Sequence, residues 1–390
     1  MTRTNVSLLG VFVGVALFGA GCAHDEGGPG PEPVGAVAPA ADLQAMKRDA
    51  AFEVSRLLGD ASFRDALGQS FARGETGVRL AEVWSAAPAG AAARLASLDA
   101  QIVAQKGLGG YASSLLQVRL VRPEGDAGEI DWASIPVAFL PAGDEKGWSL
   151  VEAFDAQGRA LALDAEVAPA VPVLVAGIDA REETRAGVAL LNDELAAHGI
   201  GGGRGPLAGG GLGQRSSALA TSTPTSMLTR VRLNDDKEPW VSGASEVYAL
   251  VSGIDPVAAQ VRIEAVDMPY LDNDGKDYYP NQILIFWEGY RFAAANVVLY
   301  EHDDNTNYQT LVQALVSAVG AGLDLSYPGA SMVAEIANRI IAAMPGGWFS
   351  NDDDYVDVFY TLEKGATYTD RMGVSGNAKI SLVPYTLLGN

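Results

Sequence analysis

Acidic side chains gather at three places in the last third of the chain. MPYLDNDGKDYY carries Asp272, Asp274 and Asp277, EHDD carries Asp303 and Asp304, and NDDDY carries Asp352, Asp353 and Asp354. From Val241 to Asn390 there are 19 acids against 7 basic residues. Carboxylates crowded together repel one another unless protons or a cation separate them. Oxygen-only ligands on loops suit Ca²⁺, which takes six to eight of them, so these eight aspartates are candidate ligands for a Ca²⁺ cofactor. The local spacing is not that of an EF-hand: with Gly275 at the sixth loop position, Tyr270 stands where the first Asp belongs. The competing reading is a set of solvated turns, since Asp and Asn favour turns for backbone reasons alone.

A catalytic set is harder to find. The chain has 3 histidines, His24, His198 and His302, and no HExxH or GxSxG run. A hydrolase built on a metal with His302 or Asp304 stays open as an alternative, beside the reading of His302 as a surface turn residue. Trp287, Tyr290 and Phe292 could make a ligand platform, although at strand spacing aromatics are more often core.

The single cysteine, Cys22, lies in LFGAGCAHDEGGPGPEP. Arg3 is the one charged residue before it, and Val6 to Phe18 is shorter than the roughly 20 apolar residues that span a bilayer. That is the anatomy of a signal peptide. Gly19, Ala20 and Gly21 before Cys22 resemble the lipobox of bacterial lipoproteins, with Gly19 where that family usually carries Leu. The resemblance implies cleavage before Cys22, acyl chains on its thiol and amine, and, because Ala23 is not Asp, export to the outer membrane of a Gram-negative bacterium. Two or three acyl chains anchor stably where one does not. An ordinary signal peptide cut elsewhere would leave a free thiol instead. With no second cysteine, no intramolecular disulfide stabilises the exported chain. The formal charge of −21 argues against a nucleic-acid partner and against docking on anionic lipid through net charge.

These candidates need elements to position them. Residues 1–21 read as signal peptide and 22–41 as a Pro/Gly-rich tether. Leu43, Met46, Ala50, Val54, Leu57 and Leu58 form one helical stripe, then Phe63, Leu67 and Phe71 form another with Asp60 as its N-cap, and a third helix surrounds Leu95, Leu98 and Ile102. The period then falls to two in five short strands between residues 115 and 177, and REETRAGVALLNDELAAHG follows as a helix. This gives an α+β domain over 42–198, with N-terminal helices and a small antiparallel sheet. Nine of the fifteen residues from Gly199 to Gly213 are glycine, but they follow a helix C-terminus rather than open one, which is wrong for a phosphate cradle. Residues 199–227 therefore read as a Gly/Ser/Thr-rich linker. Six strands between 246 and 385, interrupted by a helical pair at about 305–345, predict a second domain over 228–390, an antiparallel β-sandwich with a helical-hairpin insertion. If consecutive strands alternate in direction, the loops after the second and fourth of them open at the same end and bring the three acidic clusters together.

The run MPYLDNDGKDYYPNQILIFWEGYRFAAANVVLYEHDDNTNY, with DDDYVDVFYTLEKGATY after the helices, resembles an uncharacterised family of secreted bacterial lipoproteins, a domain of unknown function, from about Leu150 onward. A weaker likeness to C2-type sandwiches lies in a tryptophan strand (Trp287) followed by a strand ending in Glu301, Asp303 and Asp304, and implies calcium and lipid. The expectation is a lipid-anchored, non-catalytic binding or structural module that holds Ca²⁺ in acidic loops, with no protein or small-molecule partner specified. A metal-dependent secreted hydrolase, and a membrane-active protein that inserts its helical hairpin, are the alternatives.

Overall fold

The computed structural model describes residues 40–123, 128–142, 147–201, 222–234, 240–243, 246–255, 260–271, 273–301, 306–320, 330–343 and 355–388. Residues 39–390 form one compact unit of mixed α and β structure. Residues 1–39, which hold the expected signal peptide, Cys22 and most of the expected tether, lie outside the described residues.

Helix α1 (Ala40–Leu57) buries the stripe its spacing predicts: Leu43, Ala50, Val54 and Leu57 are in the core. Asp60 caps α2 (Ala61–Ala72) by accepting from the N–H groups of Ser62 and Phe63, satisfying donors a helix start leaves unpaired. After β1 (Gly77–Arg79) and the single turn α3 (Leu80–Val83), α4 (Ala89–Gln105) packs on α1. Five strands follow: β2 (Leu116–Val121), β3 (Val137–Phe139), β4 (Leu150–Phe154), β5 (Ala160–Asp164) and β6 (Val173–Ile178). With β1 they make a six-stranded sheet in the order β1-β2-β6-β3-β4-β5. All pairs are antiparallel except β3 with β6.

Helix α5 (Ala180–Ala197) leaves this first sheet and packs on the second half. His198 is its C-cap and Gly199, at φ +76°, turns the chain as only glycine does without strain. Asn192 on α5 bonds both backbone groups of Ala265, donating to its carbonyl and accepting from its N–H, each at 2.9 Å.

The second half is a sandwich of two four-stranded antiparallel sheets. The outer sheet is β10-β7-β14-β13, from β7 (Ser222–Leu233), β10 (Gln282–Phe286), β13 (Tyr368–Met372) and β14 (Ala378–Leu388). The middle sheet is β12-β11-β8-β9, from β8 (Val247–Ile254), β9 (Val261–Asp267), β11 (Ala294–Glu301) and β12 (Tyr355–Glu363). Along β8 the side chains alternate strictly: Ala249 and Val251 face the outer sheet, while Tyr248 and Leu250 join the core on the other side. That second face is covered by α5, α6 (Tyr308–Gly320) and α7 (Ala330–Ala343). Leu311, Leu315, Ile336 and Ile340, the apolar faces of the predicted hairpin, are buried there. No helix among the described residues is long and apolar enough to cross a membrane.

Two features differ from the sequence reading. β7 begins at Ser222, inside the stretch whose composition suggests a linker, and it is a central strand paired along its whole length with β14. Trp287, which the sequence puts within a strand, instead starts a short 3₁₀ turn after β10, while its ring and that of Tyr290 are buried in the sandwich, as the core reading of these aromatics has it.

Candidate functional site

In the middle sheet, Asp267 at the end of β9 stands opposite Tyr248 at the start of β8; Tyr248 stands opposite Tyr300 near the end of β11, and Tyr300 opposite Tyr355 at the start of β12. β9 and β11 are both antiparallel to β8 and so run in the same direction. The chain therefore leaves the sheet after Asp267 and after Glu301, and re-enters at Tyr355, in a single row at one end. Asp272, Asp303, Asp304, Asp352, Asp353 and Asp354 belong to the connections that start or finish at this row and lie outside the described residues.

Asp274 and Asp277 are described. Asp277 is engaged by Arg230 of β7 through a two-bond fork, Nε to Oδ1 at 2.9 Å and Nη2 to Oδ2 at 2.8 Å, while Nη1 of the same guanidinium reaches Asp370 at 2.7 Å. A bidentate Arg fork is the strongest common way to hold a carboxylate. Asp274 precedes Gly275, whose φ of +62° and N–H bond to Leu233 carbonyl fold the turn back on β7. Among the described residues, no group of three or more His, Cys, Asp or Glu side chains is placed to hold a metal ion.

Just beneath the row lies a buried polar cluster. Lys106 Nζ and Glu183 Oε1 meet at 2.7 Å with side chains 1% and 0% exposed. Tyr308, the first residue of α6, is fully buried beside them, and its hydroxyl pKa is pushed far above the usual tyrosine range by burial and then by the Glu183 carboxylate. Tyr248 and Tyr300 stack at 5.9 Å on the same side of the sheet. The N-terminus of α6 docks on the C-terminus of α4: the N–H of Tyr308 donates to the Lys106 carbonyl at 3.2 Å, and Asn307 Nδ2 to the Gln105 carbonyl at 2.6 Å. Asn307 Oδ1 in turn accepts from the N–H of Thr310, as an N-cap does. Glu183 is legible in sequence only as an acid suited to the positive end of α5; its pairing with Lys106, 77 residues earlier, leaves no local signal.

The other buried charges also have structural partners. Asp99 accepts from the N–H groups of Leu115 and Leu116, Asp357 from those of Val358, Ser375 and Ala378, and Glu264 binds Arg262. Two open clefts lie among the described residues. One of about 900 Å³ runs between α1 and α4 over Phe52, Leu57 and Leu98, and is crossed by the Arg94–Glu53 pair. A smaller one of about 150 Å³ lies at the start of α5 between Arg119, Asp179, Arg181 and Glu246; burial raises the Asp179 pKa.

A family model described as a protein of unknown function (DUF3103) matches residues 47–389, reaching well before the Leu150 at which the resemblance in the sequence begins. No curated protein matches the chain, and no solved structure does.

Proposed function

The chain belongs to this family of proteins of unknown function, and within it we propose an exported, non-catalytic binding module, anchored at the outer membrane through acylated Cys22, whose acidic sandwich end binds Ca²⁺. The observation that carries the reading is the row Asp267–Tyr248–Tyr300–Tyr355, because connections rich in aspartate begin or end along it. Asp272, Asp303, Asp304 and Asp352 to Asp354 are the ligands of this reading, with Asp274 beside them and Asp277 shared with Arg230. The non-catalytic part rests on the sequence, which has no HExxH or GxSxG run, and on Lys106–Glu183 and Asp99, whose buried charges tie one backbone segment to another.

Radiolabelled palmitate should enter the wild-type chain and not Cys22→Ser; equal labelling contradicts the anchor. Calorimetric titration with Ca²⁺ should give saturable heat, and ester, peptide and phosphodiester substrates should stay unchanged with or without divalent ions. Turnover of any of them favours the hydrolase reading instead. Insertion of the hairpin would require α7 to leave the middle sheet and α6 to leave α5, where their apolar faces are buried.

A further inference from the structure

Among the described residues, the outer sheet has one face in the sandwich and no element packed on the other, since α5 and α7 pack on the middle sheet and α6 on those two helices. On that open face Arg232 of β7 and Lys379 of β14 stand directly opposite each other. Like charges in direct cross-strand register destabilise a sheet. Neither side chain has a hydrogen bond or ion pair among the described residues, whereas Arg230, two positions along, is held by Asp277 and Asp370. The chain carries a formal charge of −21, so two opposed cations with no carboxylate bound to either among the described residues run against its composition.

Exposed apolar and aromatic side chains lie along the outer sheet and its loops. Met372 stands opposite Lys379 on the other side and is 49% exposed, while Tyr385 is 44% and Tyr279 66% exposed. Lys276 lies over the ring of Tyr278 at 4.6 Å. Cations beside tyrosine and aliphatic side chains are the chemistry of a membrane interface, where rings settle at headgroup level and Lys/Arg reach lipid phosphates. The overall negative charge does not prevent this, because the neighbouring Asp277 and Asp370 are both engaged by Arg230, and at physiological salt fields fade over about 8 Å, so more distant acids are screened.

We propose that the open face of the outer sheet docks on an anionic lipid bilayer, with Arg232 and Lys379 receiving headgroup phosphates and Tyr279, Met372 and Tyr385 entering the interface. This rests on the reading of the chain as a membrane-side module, but it needs no acyl chain, so the two can fail separately. The test uses the mature chain carrying Cys22→Ser, co-sedimented with phosphatidylglycerol/phosphatidylcholine vesicles and with phosphatidylcholine vesicles. Binding should require phosphatidylglycerol and fall between about 0.05 and 0.5 M salt. Arg232→Gln/Lys379→Gln should weaken it roughly 30-fold, taking the usual contribution of a basic residue near an anionic surface. The same variant should melt no lower than its parent, since a repulsion is removed, and Tyr279→Ser should weaken binding without changing its salt dependence. No binding at low salt, equal binding to both vesicles, or undiminished binding by the double variant overturns the proposal. Binding to a soluble polyanion such as heparin without binding to vesicles overturns it as well.

Discussion

The ring of Tyr308 fills the space that a β-carbon at Gly187 would need, so that α6 sits against α5 without a side chain between them. Gly187 is buried in mid-helix, where glycine ordinarily costs stability relative to alanine. Here the sign reverses. Gly187→Ala should destabilise the protein by roughly 1–3 kcal/mol through overpacking, and Gly187→Ala with Tyr308→Ala should recover part of the loss that the first change causes. Denaturant unfolding of the three variants checks this; a neutral or stabilising Gly187→Ala means the ring has room to move.

Lys106 and Glu183 are a buried pair with no solvent to take over from a missing partner. Removing one partner of such a pair costs about 3–5 kcal/mol, while replacing both with apolar groups of similar size is often neutral. Glu183→Gln and Lys106→Met should each fall in that range, and Lys106→Met/Glu183→Leu should unfold at a midpoint near that of the wild type. If the double variant is as unstable as the singles combined, the pair contributes specific attraction beyond its own desolvation.

Acid titration should show a maximum. Burial raises the pKa values of Asp179 and Asp267, so the folded state takes up protons there before the unfolded state does, and stability rises as pH falls through their folded values. Glu182 is shifted the other way, chiefly by its hydrogen bonds from Arg185; its contribution is present above the unfolded pKa and is lost as pH falls through the lowered folded value. The melting temperature should therefore climb as pH falls toward the ordinary carboxylate range and drop once pH falls below the ordinary glutamate value of about 4.3. Asp179→Asn, which keeps the N-cap of α5, combined with Asp267→Asn should flatten the climb and leave the drop. A wild-type curve that only falls from pH 7 downward contradicts the assignment.

The elements that could be read from sequence are those whose burial is periodic and local. The stripes of α1, α2 and α6, the two-residue alternation of β2 and β4, and the Asp155–Gly158 turn between β4 and β5 all declare themselves within a dozen residues. β7 does not, because STPTSMLTRVRL begins as a polar run; it is a strand by virtue of β14, more than 140 residues later, with Thr225 bonded to the Tyr385 carbonyl and Ser226 to Trp287 Nε1. β13, YTDRM, likewise has no alternation and is held by its hairpin with β14. Strand direction was legible from counting, and the row at Asp267 and Tyr300 runs as alternation requires, although the count missed β7 and β13. The Lys106–Glu183–Tyr308 cluster was not legible, since its members come from three helices and only their packing makes them neighbours.

The central claim is the proposal that calcium binds at the acidic end of the sandwich, and thermal unfolding of residues 22–390 in Ca²⁺ against EDTA tests it most directly. A ligand bound only by the folded state must stabilise it, by about 2.7 kcal/mol at a hundred times its dissociation constant. The account predicts a melting temperature raised by saturating Ca²⁺ in the wild type, with the rise abolished in Asp303→Asn/Asp304→Asn while the EDTA values of the two proteins stay close. An identical melting temperature with and without Ca²⁺, or the same rise in both proteins, contradicts it.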